Sequence, residues 1–288
     1  MSGLPLKVLV ETDVVTQGAA AALHGLLNAP TAPPVEGDPL PPLWHWLAFL
    51  PRVPQDQLKE DGHPSLEGEL ARFNEASRMF AGSSLQFCGT ARVGELLSRS
   101  SEITAIEQKE GRSGPLVFVR WRHQLFASDV PVITEEQDIV YRMGVPAWAA
   151  TVDGHEPVPH TPWSWQLVIS STLLFRFSAL TYNAHRIHYD RPYATSVEGY
   201  PGLVVPGPLQ AVGLAELCRR LAPGRRLASF SFRALSPAFD TGPVHLRGTP
   251  TGDDVSLATY NAERRCTMIA TAKLERWARS SRPCPVRC

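Results

Sequence analysis

Residues Phe177–Ala194 read FSALTYNAHRIHYDRPYA. Two histidines three positions apart, His185 and His188, are followed at once by Asp190, and a helix-like apolar run ends just before them. A metal site is one reading. His185 and His188 share a face if the segment is helical, but a catalytic zinc needs three protein ligands and a water. Asp190 lies two residues past His188, off that face, and the chain contains no H-E-x-x-H. A structural reading makes Asp190 the acid at the start of a short helix, Asp190–Ala194, with Pro192 in its first turn. His185 is then a hydrogen-bonded core histidine. An acid–base reading turns on His188, because an imidazole with pKa near ~6.5 moves protons at neutral pH. Spacing alone leaves the structural and acid–base readings open.

The flanks of this stretch supply the architecture. WSWQLVIS reads as a strand and STLLFRFSALTYN as a helix. Further on, PGPLQAVGLAELCRRLAPG reads as a longer helix. Pro208 opens it, where a missing N–H does no harm. Leu209, Val212, Leu214, Leu217 and Leu221 form its apolar stripe, and Gly224 ends it. Strand candidates RLASFSFRAL, PVHLRGT, VSLATYNA and RCTMIATAKLERWA follow. The N-terminal half has the same texture. DVVTQGAAAALHGLLN reads as a helix capped by Asp13 or Thr12. After a proline-rich connection and the aromatic run LWHWLAFLP come SSLQFCG, ARVGELLSRSSEITAIEQKEG, PLVFVRWRHQLFA and VPVITEEQDIVYR, read as strands separated by turn residues. The segments LQFCGTARVGE and FRALSPAFDTG overlay as strand, turn and next strand. The fold class expected is α+β, two copies of a long helix wrapped by a curved antiparallel sheet. The boundaries expected are 1–150 for the first copy, with a Pro/Gly-rich linker over 145–162, 151–278 for the second, and a disordered tail at 279–288.

Composition narrows the function classes. In 288 residues, 43% are hydrophobic and 19% charged, enough to bury a sizeable core. The 28 basic and 28 acidic residues cancel, so no basic footprint for nucleic acid exists. The start of the chain lacks the apolar core of a signal peptide. The most apolar stretch, WSWQLVISSTLLFRFSAL, is interrupted by Arg176 and rich in serine, which speaks against a membrane span. Cys88, Cys218, Cys266, Cys284 and Cys288 have no regular spacing. A cytoplasmic chain with free thiols, no membrane and no nucleic-acid partner is expected.

The stretch FSALTYNAHRIHYDRPYA resembles the signature of the MaoC-like, or type 2 enoyl-CoA hydratase/dehydratase, group. Phe177, Ser178, Leu180, Thr181, His188, Asp190 and Ala194 match it in order, and GLVVPGPL stands where that group has V-H-G-x-L. In the N-terminal half, LPPLWHWLAFLP, DGHP, RMFAGSSLQF, EGRSGPLVFV and TEEQDIVYR look like the FAS1-like dehydratases, a subfamily that takes in mesaconyl-C4-CoA and itaconyl-CoA hydratases. The resemblance covers about residues 40–275. It implies a double hotdog fold, the N-terminal copy having a degenerate site, and reversible addition of water to the double bond of an acyl-CoA thioester. The implied substrate is a C5 dicarboxylic one, itaconyl-CoA or mesaconyl-C4-CoA, giving citramalyl-CoA.

The resemblance makes His188 the acid/base. Asn183 stands where the signature has aspartate, and an amide can orient a water but cannot take its proton. Gly207, opening the long helix, is the candidate to stabilise the thioester oxygen. Tyr182 replaces a signature glycine, His185 and Arg186 replace Asn-Pro, and Pro206 replaces the histidine of V-H-G. Arg186 is the first candidate to bind a substrate carboxylate, with Arg191 and Arg142 next, and His185 and Tyr182 at the same site. Arg219, Arg220, Arg225 and Arg226 are candidates for CoA phosphates or for a helix C-terminus. Trp44, Trp46, Trp163 and Trp165 line a tunnel or pack the core. No metal and no cofactor is implied, CoA being part of the substrate, and a homodimer is admitted. The alternatives are another (R)-specific enoyl-CoA or 3-hydroxyacyl-thioester dehydratase, a hotdog thioesterase, and a non-catalytic acyl-CoA-binding protein.

Overall fold

A computed structural model describes residues 8–111, 114–143 and 158–276. The expected division at 150, most of the 145–162 linker and the 279–288 tail lie outside the described residues.

The N-terminal half runs β1 (Leu9–Val14), α1 (Gln17–Leu26), a long irregular stretch with short 3-10 turns, then β2 (Ser77–Phe87), β3 (Leu96–Gly111), β4 (Gly114–Ala127) and β5 (Val130–Arg142). The C-terminal half runs β6 (Trp163–Leu167), α2 (Ser171–Leu180), a shorter irregular stretch, α3 (Gly207–Leu221), then β7 (Arg225–Ala234), β8 (Val244–Thr251), β9 (Asp254–Tyr260) and β10 (Cys266–Arg276). All ten strands form one sheet in the order β1-β3-β4-β5-β2-β7-β10-β9-β8-β6. Read inward from either edge, the two halves have the same order. The neighbours are antiparallel throughout.

The duplication is metric as well as topological. Leu9 and Trp163 open the edge strands, and Gln17 and Ser171 open the first helices, each pair 154 residues apart. Thr16 and Ser170 cap those helices, accepting the amides of Ala19 at 3.1 Å and Leu173 at 3.2 Å. The same spacing joins Asn28 and Tyr182, both left-handed, at φ 49° and 51°. Thr16, not Asp13 or Thr12, is therefore the cap of α1. Asp13 belongs to an edge strand and binds the Phe49 amide at 2.8 Å and the Arg52 guanidinium at 2.8 Å.

The double hotdog is present, with one difference between halves. Among the described residues, only the C-terminal half has the long helix. Residues Leu209–Cys218 of α3 are buried without exception, because the helix meets the sheet on one side and the N-terminal half on the other. Its buried polar groups are satisfied. Gln210 accepts from Thr259 and Thr267 at 2.8 and 2.7 Å, and Glu216 takes Arg219 and Arg220 at 2.7 and 2.8 Å. Leu221 of the expected stripe is exposed. In the N-terminal half a 3-10 turn, Gly68–Phe73, stands before β2 where α3 stands before β7. It covers a small separate cluster of Val117, Val119, Ile139 and Tyr141.

The halves join at β2–β7, where Gly82 pairs with Arg233 and Ser84 with Ser231. A Cβ on Gly82 would come within 2.5 Å of the Phe232 carbonyl, so the seam closes only over glycine. Cys88 is disulfide-bonded, a correction to the reading of five free thiols. Irregular spacing argues against a framework of bridges but does not forbid a single one. Cys218 and Cys266 are free. Among the described residues no helix is long and apolar enough to cross a membrane.

Candidate active site

The quoted stretch folds as the end of α2, a left-handed residue, a 3-10 turn at Arg186–His188, and a helical segment from Arg191 whose last part, Tyr193–Val197, is π-helical. Tyr182 is the left-handed residue and is 56% exposed. A position that needs positive φ explains why glycine is the signature residue there. Asp190 opens the second helical segment, its Oδ1 accepting the Tyr193 amide at 3.2 Å. Its other oxygen takes Arg186 Nε and Nη2 at 2.9 and 2.8 Å. His185, His188 and Asp190 are therefore not one metal-ligand set.

His188 is buried, and its Nδ1 lies 2.8 Å from the Val204 carbonyl oxygen. A carbonyl only accepts, so Nδ1 carries the proton and Nε2 keeps the lone pair. Burial drives the pKa down to about 4, the Val204 bond offsetting part of this and His63 adding to it. The ring is thus a neutral base at pH 7. Asn183 Oδ1 accepts the His185 amide at 3.1 Å, which leaves its NH2 group as the free end. Asn183 also lines a cavity of about 170 Å³, with Thr181, Pro208 and Val212 on its side and Phe80 and Trp46 facing them from the N-terminal half. Gly207 is the first residue of α3, after Pro206 at φ −56°. Its amide has no intrahelical acceptor and Pro208 has no N–H, so Gly207 offers the helix's first donor.

The N-terminal half also reaches this motif through a loop that the sequence reading left without a role. The Asp61 carbonyl accepts the Arg186 amide at 2.9 Å. Gly62, at φ 89°, comes so close that a Cβ would stand 1.8 Å from the Ala184 oxygen. His63 packs on His185 with ring centroids 4.0 Å apart, and His185 meets His188 edge-on at 5.3 Å. His63 Nδ1 donates to Asp61 Oδ2 at 3.1 Å, and Lys59 Nζ donates to the same oxygen at 3.2 Å. Burial works to raise the pKa of Asp61, but hydrogen bonds from the His63 ring and amide and the Lys59 charge beside it outweigh burial and hold the carboxyl well below its usual range. Burial lowers both His63 and His185, and the neighbouring imidazoles push His185 further. Asp61, His63 and His185 bring ligand-type atoms within 4.8 Å of one another. Asp61 is already engaged in orienting His63. The only sequence trace of this contact is DGHP, more than a hundred residues from the motif it meets.

Of the candidate arginines, Arg142 has a buried Nε with no hydrogen-bond partner among the described residues; the others are engaged elsewhere. Arg186 braces the motif through Asp190 and the Glu60 carbonyl at 3.2 Å, with its guanidinium 4.0 Å from the Tyr193 ring centroid. Arg191 pairs with Asp240, which also holds the Leu203 amide. Arg219 and Arg220 serve Glu216. Arg220 further binds the Leu27 carbonyl at 2.8 Å and stacks on Trp165 at 4.0 Å. Arg225 pairs with Asp253 and Arg226 with Glu275.

Residues 43–240 match the family described as hydroxyacyl-thioester dehydratase type 2. The chain is 47% identical over 266 residues to a mesaconyl-C(4)-CoA hydratase of Chloroflexus aurantiacus, covering 92% of this chain and 94% of that one. Among solved structures, a MaoC-like dehydratase from Phytophthora capsici superposes with a TM-score of 0.66 at 14% identity, over 95% of this chain and 97% of that one. A Mycobacterium tuberculosis protein described as a double hotdog superposes with a TM-score of 0.53 at 14% identity, over 94% and 97% of the two chains.

Proposed function

Because the chain belongs to the hydroxyacyl-thioester dehydratase type 2 family, we propose that it adds water reversibly to the double bond of an unsaturated acyl-CoA thioester, with mesaconyl-C4-CoA or itaconyl-CoA as substrate and citramalyl-CoA as product. The C5 dicarboxylic assignment rests on the 47% identity to a mesaconyl-C(4)-CoA hydratase over nearly the full length of both chains. One observation carries the chemistry: a buried neutral imidazole, His188, whose Nδ1–H is fixed on the Val204 carbonyl.

In this reading, for mesaconyl-C4-CoA, whose double bond is conjugated with the thioester, Nε2 of His188 takes a proton from water as the water oxygen bonds to the β-carbon. Negative charge moves to the thioester oxygen, where the Gly207 amide and the positive end of α3 stabilise it. The imidazolium then returns its proton to the α-carbon. One O–H bond and the C=C π bond are broken and one C–O and one C–H bond are made, so the step balances without a redox partner or a metal. A single base serving both transfers gives syn addition. The Asn183 amide holds the water and leaves the proton to His188. The site is single. At the spacing that relates the halves, Asn183 and His188 correspond to Ala29 and Pro34, so residues 1–150 act as a copy without its own acid/base and 151–278 as the copy that carries it.

The test is turnover of mesaconyl-C4-CoA, itaconyl-CoA and crotonyl-CoA, read by mass for the gain of one water. Loss of at least about 100-fold in His188→Ala is expected, the scale of general acid–base catalysis. Release of free CoA without water gain on the acyl group would assign a thioesterase instead. Full activity without His188 would move the chemistry elsewhere.

A further inference from the structure

The turn Trp44–Leu47 lies between two cavities. Trp46 and Leu47 face the 170 Å³ cavity that holds Asn183. Trp44 and His45 face a second cavity of about 340 Å³, lined across from them by Ala215 and Cys218. Val212 borders the first cavity and Ala215 the second. The two chambers thus follow each other along α3, with this turn as the partition. The first is smaller than the roughly 300–1,000 Å³ of sites for drug-sized ligands.

The partition is fixed by a buried charge. Glu135, on β5, is 2% exposed and accepts from His45 Nε2 at 3.1 Å, Trp46 Nε1 at 3.2 Å, Ser83 Oγ at 2.8 Å and Gln137 Nε2 at 2.9 Å. Burial alone would raise its pKa, but these donors and the nearby histidines bring it down to about 2. A buried carboxylate is stable only while its donors stay in place. Trp46 is one of them, so its indole cannot swing aside without leaving part of that charge unpaired. Phe80 and Phe232 hold it edge-on, with centroids at 6.1 and 6.2 Å.

We propose that Trp46, held by Glu135, is the residue that limits the length of the acyl group. It stops the first chamber short of the second and confines the enzyme to short acyl thioesters. This rests on the hydratase reading above. A tryptophan fixed only by apolar contacts would give a softer limit, since an indole can change rotamer to admit a longer chain. Here the polar tie makes that movement costly.

The experiment uses the full chain and compares kcat/KM for hydration of mesaconyl-C4-CoA, crotonyl-CoA and trans-2-octenoyl-CoA. The wild type is expected to disfavour octenoyl-CoA against crotonyl-CoA by about 100-fold or more, from the 10–200-fold effect of one misfitting methylene. Trp46→Ala is expected to bring the octenoyl-to-crotonyl ratio of kcat/KM within about tenfold, the ratio and not the crotonyl rate being the readout. Trp46→Phe keeps most of the bulk and removes the N–H that Glu135 accepts, so it should soften the short-chain preference part of the way towards Trp46→Ala and lower the melting temperature. Trp46→Leu replaces Trp46→Ala if that variant does not fold. An equal loss on all three substrates in a folded variant would reduce Trp46 to a packing residue and overturn the proposal. So would wild-type turnover of octenoyl-CoA at the crotonyl rate. Absence of water gain on every substrate in the wild type would instead overturn the hydratase reading on which the proposal stands.

Discussion

The protonation state of His188 can be tested by comparing the wild type with His188→Gln from pH 8 to pH 4. An unfolded histidine titrates near 6.5, and burial holds the folded one down to about 4. Between those values the unfolded chain binds a proton at this position and the folded chain does not. Folded stability therefore falls as pH falls through this window, by about 1.4 kcal/mol per pH unit, or roughly 3 kcal/mol in all. Below about pH 4 both states are protonated and the loss stops growing. Glutamine does not titrate, and the remaining histidines are shared, so the stability difference between the two proteins isolates His188. Urea denaturation at successive pH values reads it. The wild type should lose about 3 kcal/mol more than the variant over the window, and its kcat/KM should hold until an acid limb near pH 4. An acid limb near 6.5, or a stability difference that does not change with pH, would mean that His188 titrates as a solvated imidazole and does not act as a buried neutral base.

The other expectations concern the frame around that base. Gly62→Ala forces a Cβ against the Ala184 oxygen at a left-handed position. Overpacking of about 1–3 kcal/mol and left-handed strain of about 1–2 kcal/mol should destabilise the fold and lower kcat as the loop lifts from Arg186. An unchanged unfolding midpoint would contradict the observed contact. Tyr182→Gly removes left-handed strain from a residue with little packing to lose. It should be neutral or stabilising by up to about 1 kcal/mol after the larger entropy of unfolded glycine is counted, which calorimetry can read. Arg186→Gln separates brace from ligand. As a brace, its loss lowers the melting temperature slightly and alters KM for mesaconyl-C4-CoA by less than about threefold. A tenfold rise for that substrate, absent for crotonyl-CoA, would restore Arg186 as the reader of the carboxylate.

The regular elements were legible because their periods are strong. The four C-terminal strands, α2 and α3 stand where the pattern of apolar and turn residues puts them. β1 was not legible: LVETDV is a short edge strand with exposed and half-buried positions and no alternation, and it abuts α1 closely enough to read as its lead-in. The absence of a long N-terminal helix was equally hidden. The stretch from Leu27 to Ala76 holds short turns fixed by long-range contacts, which leave no period to detect. At the site, His188 is proposed through its motif, and Asn183 through its departure from one. Asp61 and His63 escaped, since their contact with His185 is made by chain folding across more than a hundred residues. The arginines are ambiguous in the sequence because residue type records what a cation could bind and not what it already holds. Asp190 sits four residues from Arg186, at helical spacing, and that pairing was the available clue.

The β2–β7 seam has a consequence for how the enzyme behaves on dilution. Two hotdogs that meet as separate subunits are held together by mass action, and their shared site is lost when the concentration falls below their dissociation constant. Here both belong to one covalent chain, so the loop bearing Asp61 meets the motif at 182–194 at a fixed effective concentration. Specific activity should then stay constant through serial dilution. The linkage also releases the two copies from identity. In a symmetric pair every substitution appears twice and must suit both positions. In the fused chain Gly62 or Trp46 can be selected for one site alone, while Ala29 and Pro34 drift where catalytic residues would otherwise have to remain.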